Sequence, residues 1–508
     1  MAGAEVSGLM CTTTKDDGLQ KQVKLQVQWC KLNAGGLGGD ELDPSLWFSG
    51  LGFVKTNGGS LLQARKIWVG GMQAEKKKKK TNPNTHLPIA VFIDLVSLNL
   101  SYNSFSDHLP VEIFNLTTLD ISRNSFSGHF LVGVSALQNL IVLDAFGNNF
   151  SGSLPIEISE LQNLKILNLA GSYFRGPISS EYGAFCLLEF IHLAGNLITE
   201  SIPLELGKLK TVTHMEICYN YYHGNIPWQL GNMKELQYLN IAYANLSGAI
   251  PKSLEDLNNL ESLFFFRNQL SGLIPAELSN IRALQNLDLS DNLISGSTPK
   301  NFSELNNLKL LNLFYNEMAG EVPDGIAELP SLEMLLLWNN YFFGNLPWSL
   351  GRNSMLGWVD VSTNNLSGDV PPDICANGQF FKLMMFSNNF IGGLSTSLSN
   401  YSSLVRLRLE DNMFLGEIPL KFSSLTDITY VDLSRNNFSG GIPKGGKRWV
   451  LGGDVGVGGE GVGGCRERER EWIWVAGKGK EKGWGNGCSE SAVDEESSSS
   501  TYWDDCCA

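Results

Sequence analysis

The stretch SLVRLRLEDNMFLGEIP, residues 403–419, sets Arg406 and Arg408 two residues apart between leucines. Side chains alternate along a strand, so both guanidinium groups share one face about 7 Å apart. They repel by about 0.6 kcal/mol in a water-like dielectric and by roughly 2 kcal/mol at an effective value of 20. Folding gains nothing from that arrangement. Two readings stand: a pair of solvated strand arginines eased by Glu410 on the same face, or a fixed fork for an anion. Two guanidinium planes on a rigid strand offer several donors to one carboxylate, a task arginine performs better than lysine. The C-terminus of a peptide is such a carboxylate.

Other candidate chemistry is weaker. Gly456, Gly458 and Gly461 satisfy the G-x-G-x-x-G pattern of phosphate-binding loops, but no strand and helix frame them. The chain also lacks the H-R-D and D-F-G triplets that supply a kinase base and magnesium ligand, so no catalytic residue is assigned. Lys76 to Lys80 read as a solvated run, with a nuclear address as the alternative. Nine cysteines show neither Cys-x-x-Cys pairs nor histidines at zinc spacing, so no metal and no cofactor is expected. A net charge of -14 makes nucleic acid a poor partner. The first thirty residues hold no continuous apolar run, and no window offers the roughly 18 apolar residues needed to span a bilayer.

The elements that position the arginines follow from a repeat. Asparagines recur in one 24-residue register from Asn124 through Asn148, Asn196, Asn220, Asn268 and Asn292 to Asn436, with Ser172 and Ala244 in the two vacant slots. One further unit has Asn103 only 21 residues before Asn124, so about fifteen repeats run over 96–443. A single unit cannot bury its leucines, whereas stacked units share one apolar interior. In LDLSDN, Leu287 and Leu289 point inward, while Asn286, Asp288 and Ser290 face out on a concave parallel sheet. At about 4.8 Å per strand the ribbon is roughly 65 to 70 Å long. The recurring asparagine satisfies backbone groups where the chain leaves the strand, so Ser172 and Ala244 are expected weak points. Glycines such as Gly272 permit the next bend, and the remainder of each unit reads as a short helical segment.

These units, written N-L-S-G-x-I-P at 24-residue spacing, resemble the plant-specific leucine-rich repeats of receptor-like kinases. Wording such as LNLAGSYFRGPI, LFFFRNQLSGLIP and WVDVSTNNLSG is similar to the extracellular part of the tracheary element differentiation inhibitory factor receptor group. The resemblance covers 96–443 and implies an α/β repeat fold, a right-handed solenoid with a parallel concave sheet. It also implies a short secreted CLE-type peptide as partner, a shorter leucine-rich-repeat co-receptor, and a place at the plasma membrane facing outward. Relatives grip the peptide's terminal carboxylate with an Arg-x-Arg that Arg406 and Arg408 match. The outward positions Phe146, Tyr219, Phe264, Phe266, Asp288 and Trp338 resemble other residues of that groove. Asn240 departs from the aspartate of relatives, and Cys375 faces Tyr401 where they carry a partner cysteine, so no disulfide is expected there. Cys218 falls on the groove face.

Both ends depart from the family. Residues 1–95 are expected to be irregular, and 444–508, Gly-rich with alternating charge, to be disordered. Relatives continue into a membrane span and a kinase domain, so the sequence is expected to be a truncated reading of a longer receptor. A generic protein-binding scaffold or decoy is the alternative. Eight sequons, Asn99, Asn115, Asn149, Asn245, Asn301, Asn365, Asn400 and Asn437, would be glycan sites on export.

Overall fold

The computed structural model describes residues 53–56, 61–63, 95–106, 115–131 and 133–443. The tail 444–508 with its three glycines and the lysine run at 76–80 lie outside the described residues.

Each coil repeats one course. In the coil that carries Asp288, the strand Asn286–Asp288 buries Leu287 while Leu289 follows it into the core. Asp291 then turns the chain in the left-handed region at φ 53°, and Asn292 follows. A second strand, Leu293–Gly296, runs along the flank, and Pro299 leads into the turn Lys300–Glu304 before the chain returns. The expected helical segment is this single 3-10 turn. Two strands and two bends leave too little of the repeat for a longer helix.

Stacking pairs every concave strand in parallel with its neighbours, from Leu95–Asn99 to Tyr430–Asp432. Partners lie 24 residues apart, as in Leu287 with Leu311. The first link is shorter, Leu98 pairing with Leu119, which accommodates the three residues missing there. The flank strands form three separate parallel sheets of four, seven and two strands. Within the amino-terminal segment, Phe53–Thr56 pairs antiparallel with Leu61–Gln63 and with Leu95–Asn99, so the first coil's edge is covered.

Among the described residues the interior is one long leucine-rich cluster with aromatic spines at both ends, and a small second cluster lies around Ala170, Ala194, Cys218 and Ala242. Phe126, Phe150 and Phe174 stack in near-parallel steps of 6.2 and 6.1 Å, as do Phe390, Phe414 and Phe438 at 6.1 Å. Coils approach so closely that a Cβ at Gly231 would lie 2.1 Å from the Ser253 carbonyl oxygen. Only glycine fits there.

The asparagines form a buried ladder. Asn292 Nδ2 donates to the carbonyls of Phe265, Leu289 and Ser290 at 3.0 to 3.1 Å, and its Oδ1 accepts from the Leu270 amide at 3.0 Å. One side chain thus ties its own turn to the preceding coil. At the two vacant slots the structure compensates in part. Ser172 Oγ donates to the Asn148 carbonyl at 3.2 Å. Beside Ala244, Asn245 takes the left-handed conformation at φ 58° and donates Nδ2 to the Tyr222 carbonyl at 3.1 Å. The weak points are therefore rungs with fewer bonds, not gaps.

Candidate functional site

Arg406 and Arg408 lie on the strand Arg406–Arg408, with Leu407 buried between them. Both guanidinium groups emerge on the groove face, away from the leucine core. Their surroundings differ. Arg408 lies 3.9 Å over the Phe386 ring and pairs with Glu410, its Nε donating to Oε1 at 2.7 Å. Arg406 lies 5.4 Å over the Tyr430 ring, and no carboxylate pairs with it among the described residues. Glu410 thereby answers the repulsion between the two arginines: it neutralises one and leaves the other available.

The neighbouring strands extend the cationic patch. Lys382 pairs with Arg406 across the sheet and rests 3.9 Å over the Trp358 ring. Burial lowers the Lys382 pKa and Arg406 lowers it further, while Asp360 opposes them. Burial pushes Asp360 up to about 6, against hydrogen bonds from Ser362 and the charges of Arg408 and Lys382. Burial also raises Glu410, with Arg408 pulling it down. Sequence reasoning missed Lys382 and Tyr430, although both sit one repeat from Arg406 in the same register and that spacing could have found them.

The remaining candidates are spread over the sheet, and not all are accessible. Phe146 is half-buried, stacks on His192 at 6.2 Å and has the Arg123 guanidinium 5.0 Å above it. Phe266 packs against Ala242 and its small neighbours. Trp338 is half-buried between Phe314 and Tyr315, each 5.6 Å away. Tyr219 is not on the strand but in the turn, at φ 51°, stacked 5.1 Å from Tyr243 on the groove rim.

Phe264 and Asp288 point outward as expected but are covered, at 6% and 2% exposure. Strands so closely spaced let large outward side chains roof over their neighbours. Tyr238 covers Phe264 at 5.4 Å. Asp288 is saturated, accepting from the Ser290 amide and hydroxyl at 3.0 and 2.6 Å and from Asn312 at 2.9 Å. Burial pushes its carboxyl up to about 6. Asp288 is therefore a floor residue, not an open acceptor. Cys218 is likewise buried, among Ala170, Ala194 and Ala242, and not exposed in the groove. Cys375 lies in the core, where burial raises its thiol pKa. All eight sequon asparagines are exposed.

A second cluster was not anticipated. His214 is sandwiched between Phe190 at 4.7 Å and Tyr238 at 4.2 Å, and its Nε2 meets Glu216 Oε1. His192 Nε2 lies 3.5 Å from Glu216 Oε2, and neither atom has a hydrogen-bond partner within the described residues. Among the described residues no group of three acidic, histidine or cysteine side chains is arranged to hold a metal, and no helix is long and apolar enough to cross a membrane.

Comparison with known proteins agrees with this architecture. Models of the leucine-rich repeat match residues 94–116, 115–137, 234–294 and 282–342. A TDR receptor structure is 47% identical with a TM-score of 0.67, over 68% of this chain and 60% of that one. The Arabidopsis receptor kinase HAESA, solved with the peptide hormone IDA and the co-receptor SERK1, is 34% identical with a TM-score of 0.60, over 68% and 63%. The plant peptide hormone receptor RGFR1, solved with RGF2, is 30% identical with a TM-score of 0.61, over 68% and 64%. The chain thus spans less than two thirds of these relatives. No curated protein sequence matches it. The fold and these matches define a leucine-rich-repeat solenoid of the plant receptor-ectodomain class. Within that class, the chain belongs to the TDR receptor group.

Proposed function

We propose that the concave face binds a short secreted peptide of the CLE type in extended form, its C-terminal carboxylate seated on Arg406. The observation that carries this reading is the asymmetry of the arginine pair: Glu410 already occupies Arg408, while Arg406 is held by Tyr430 with no carboxylate of its own among the described residues. An extended peptide of about a dozen residues spans roughly 40 Å, or about eight coils. From Arg406 that length passes Trp338 and the Phe266 region and ends near Tyr219. Phe146 lies three coils farther, within reach only of a longer ligand. The roles of Phe264 and Asp288 are then to shape the floor.

In this reading the chain is the ligand-recognising part of a receptor displayed at the outer face of the plasma membrane. A shorter leucine-rich-repeat protein acts as co-receptor, and signalling belongs to a kinase domain. Relatives that were solved with peptide hormones, and in one case with a co-receptor, support it.

The test compares a synthetic twelve-residue CLE-type peptide with its C-terminal carboxamide by calorimetry on the full chain. Loss of a charge-assisted hydrogen-bond pair costs about 2 kcal/mol, or roughly 30-fold in affinity. The carboxamide is expected to bind that much more weakly than the acid. Arg406→Ala should weaken the acid by the same factor and leave the carboxamide unchanged. Equal binding of acid and carboxamide to the wild-type chain rejects the assignment.

A further inference from the structure

The first outward position of the strands reads Trp358, Lys382, Arg406 and Tyr430 over four consecutive coils, each residue paired in register with the next. Two cations thus stand side by side between two aromatic residues. Like charges at paired sheet positions, about 4.8 Å apart, work against folding. Neither cation is relieved by a carboxylate: among the described residues no ion pair ends on Lys382 or on Arg406. The acids beside them are already spent. Glu410 accepts from Arg408 Nε at 2.7 Å, and Asp360 is buried with its Oδ1 accepting from the Ser362 amide at 3.1 Å. The rings draw the two head groups apart. Lys382 Nζ leans back over Trp358, 3.9 Å from the ring centre, and the Arg406 guanidinium leans forward toward Tyr430 at 5.4 Å. Each long side chain is held against a ring, and the place between the two heads opens onto the groove.

A carboxylate that accepts one charge-assisted hydrogen bond at each oxygen, about 2.8 Å long, bridges donors roughly 6 to 7 Å apart. Head groups whose strands lie about 4.8 Å apart, and which lean in opposite directions, suit such a span. We propose that the peptide's terminal carboxylate is gripped across two strands, one oxygen by Lys382 and the other by Arg406, and not by Arg406 and Arg408 of one strand. The identity of the anion rests on the peptide reading above; the paired cation site does not. Arg408 is excluded because Glu410 takes its Nε and the Phe386 ring lies 3.9 Å from its guanidinium carbon. Lys382 supplies one of the two donors itself and is not merely a support for Arg406. In the free chain burial and the charge of Arg406 both disfavour the ammonium of Lys382, with Asp360 opposing them. An anion seated between the two cations removes that repulsion.

Calorimetry on the full chain compares the synthetic CLE-type peptide with its carboxamide. Lys382→Met keeps a stem over Trp358 and removes the charge; it should weaken the acid about tenfold and the carboxamide by less than about twofold. Lys382→Arg, which restores a charged donor, should hold the acid within about threefold of the wild type. A wild type that prefers the acid, together with a Lys382→Met variant that keeps that preference, overturns the proposal, as does equal weakening of both peptides. A second measurement uses inorganic sulfate in place of the peptide. Acylation of Lys382 by an N-hydroxysuccinimide ester, followed by mass spectrometry, should be at least about threefold slower in sodium sulfate than in sodium chloride of equal ionic strength, and equally fast in both salts in Arg406→Ala. If the wild type binds neither peptide, or binds both alike, the peptide reading fails and sulfate decides the pair: protection that depends on Arg406 upholds it, and equal rates in the wild type overturn it.

Discussion

Asn292→Ala lowers the stability of the solenoid by about 1 to 3 kcal/mol, measured by urea unfolding. Four hydrogen bonds end on that one amide, three from its nitrogen to the carbonyls of Phe265, Leu289 and Ser290 and one from the Leu270 amide to its oxygen. Alanine leaves the Leu270 amide without its partner, whereas the three carbonyls still accept from Asn268 Nδ2, Asn316 Nδ2 and the Arg267 amide. A buried group left unpaired costs about 1 to 3 kcal/mol, and that one amide sets the size of the loss. The loss falls on the contact between two coils, which in a stacked repeat is the unit of stability. Exchange of the Leu270 amide should accelerate more than that of amides several coils away. Ala244 shows what relief looks like, because Asn245 shifts into the left-handed region and recovers one bond. Asn292 is followed by Leu293, which has no such amide. A loss below about 1 kcal/mol would show that the ladder is ornamental.

Arg408→Ala is expected to cost about 3 kcal/mol near neutral pH and almost nothing at pH 4. The arginine is the partner of Glu410, and removing one member of a largely buried pair leaves an uncompensated charge. Burial already raises the Glu410 pKa from 4.5, with Arg408 the main opposing influence. Without Arg408 the folded pKa rises further. The unfolded carboxyl then releases its proton first, so the variant's deficit is absent below about 4.5 and grows as pH climbs from there toward the raised folded value. Arg406→Ala, which breaks no ion pair among the described residues, should change stability by no more than about 0.5 kcal/mol. The two arginines are thereby separated by experiment: one holds the fold, the other is free for a ligand. Equal stability losses in the two variants would remove that distinction.

The repeat, its register, the inward leucines and even the short first interval were legible along the chain, because each follows from local alternation and spacing. The outward direction of Arg406 and Arg408 was legible for the same reason. Accessibility was not. Phe264, Asp288 and Cys218 obey the alternation yet lie under neighbours contributed by other coils; Tyr219, by contrast, holds the register slot at which Tyr243, Arg267 and Asp291 turn in other coils, so its place in the turn could have been read from the repeat.

What the sequence by itself determined is the stacking of coils and the face on which each side chain leaves its strand, since both depend on periods of 24 and of two. What only the tertiary structure decided is which outward groups remain open and which are spent on each other. Lys382 lying over Trp358 and His192 facing Glu216 join residues whose side chains meet only after folding brings them to contact distance. Pairing, burial and charge at that range depend on ångströms, which no one-dimensional pattern specifies.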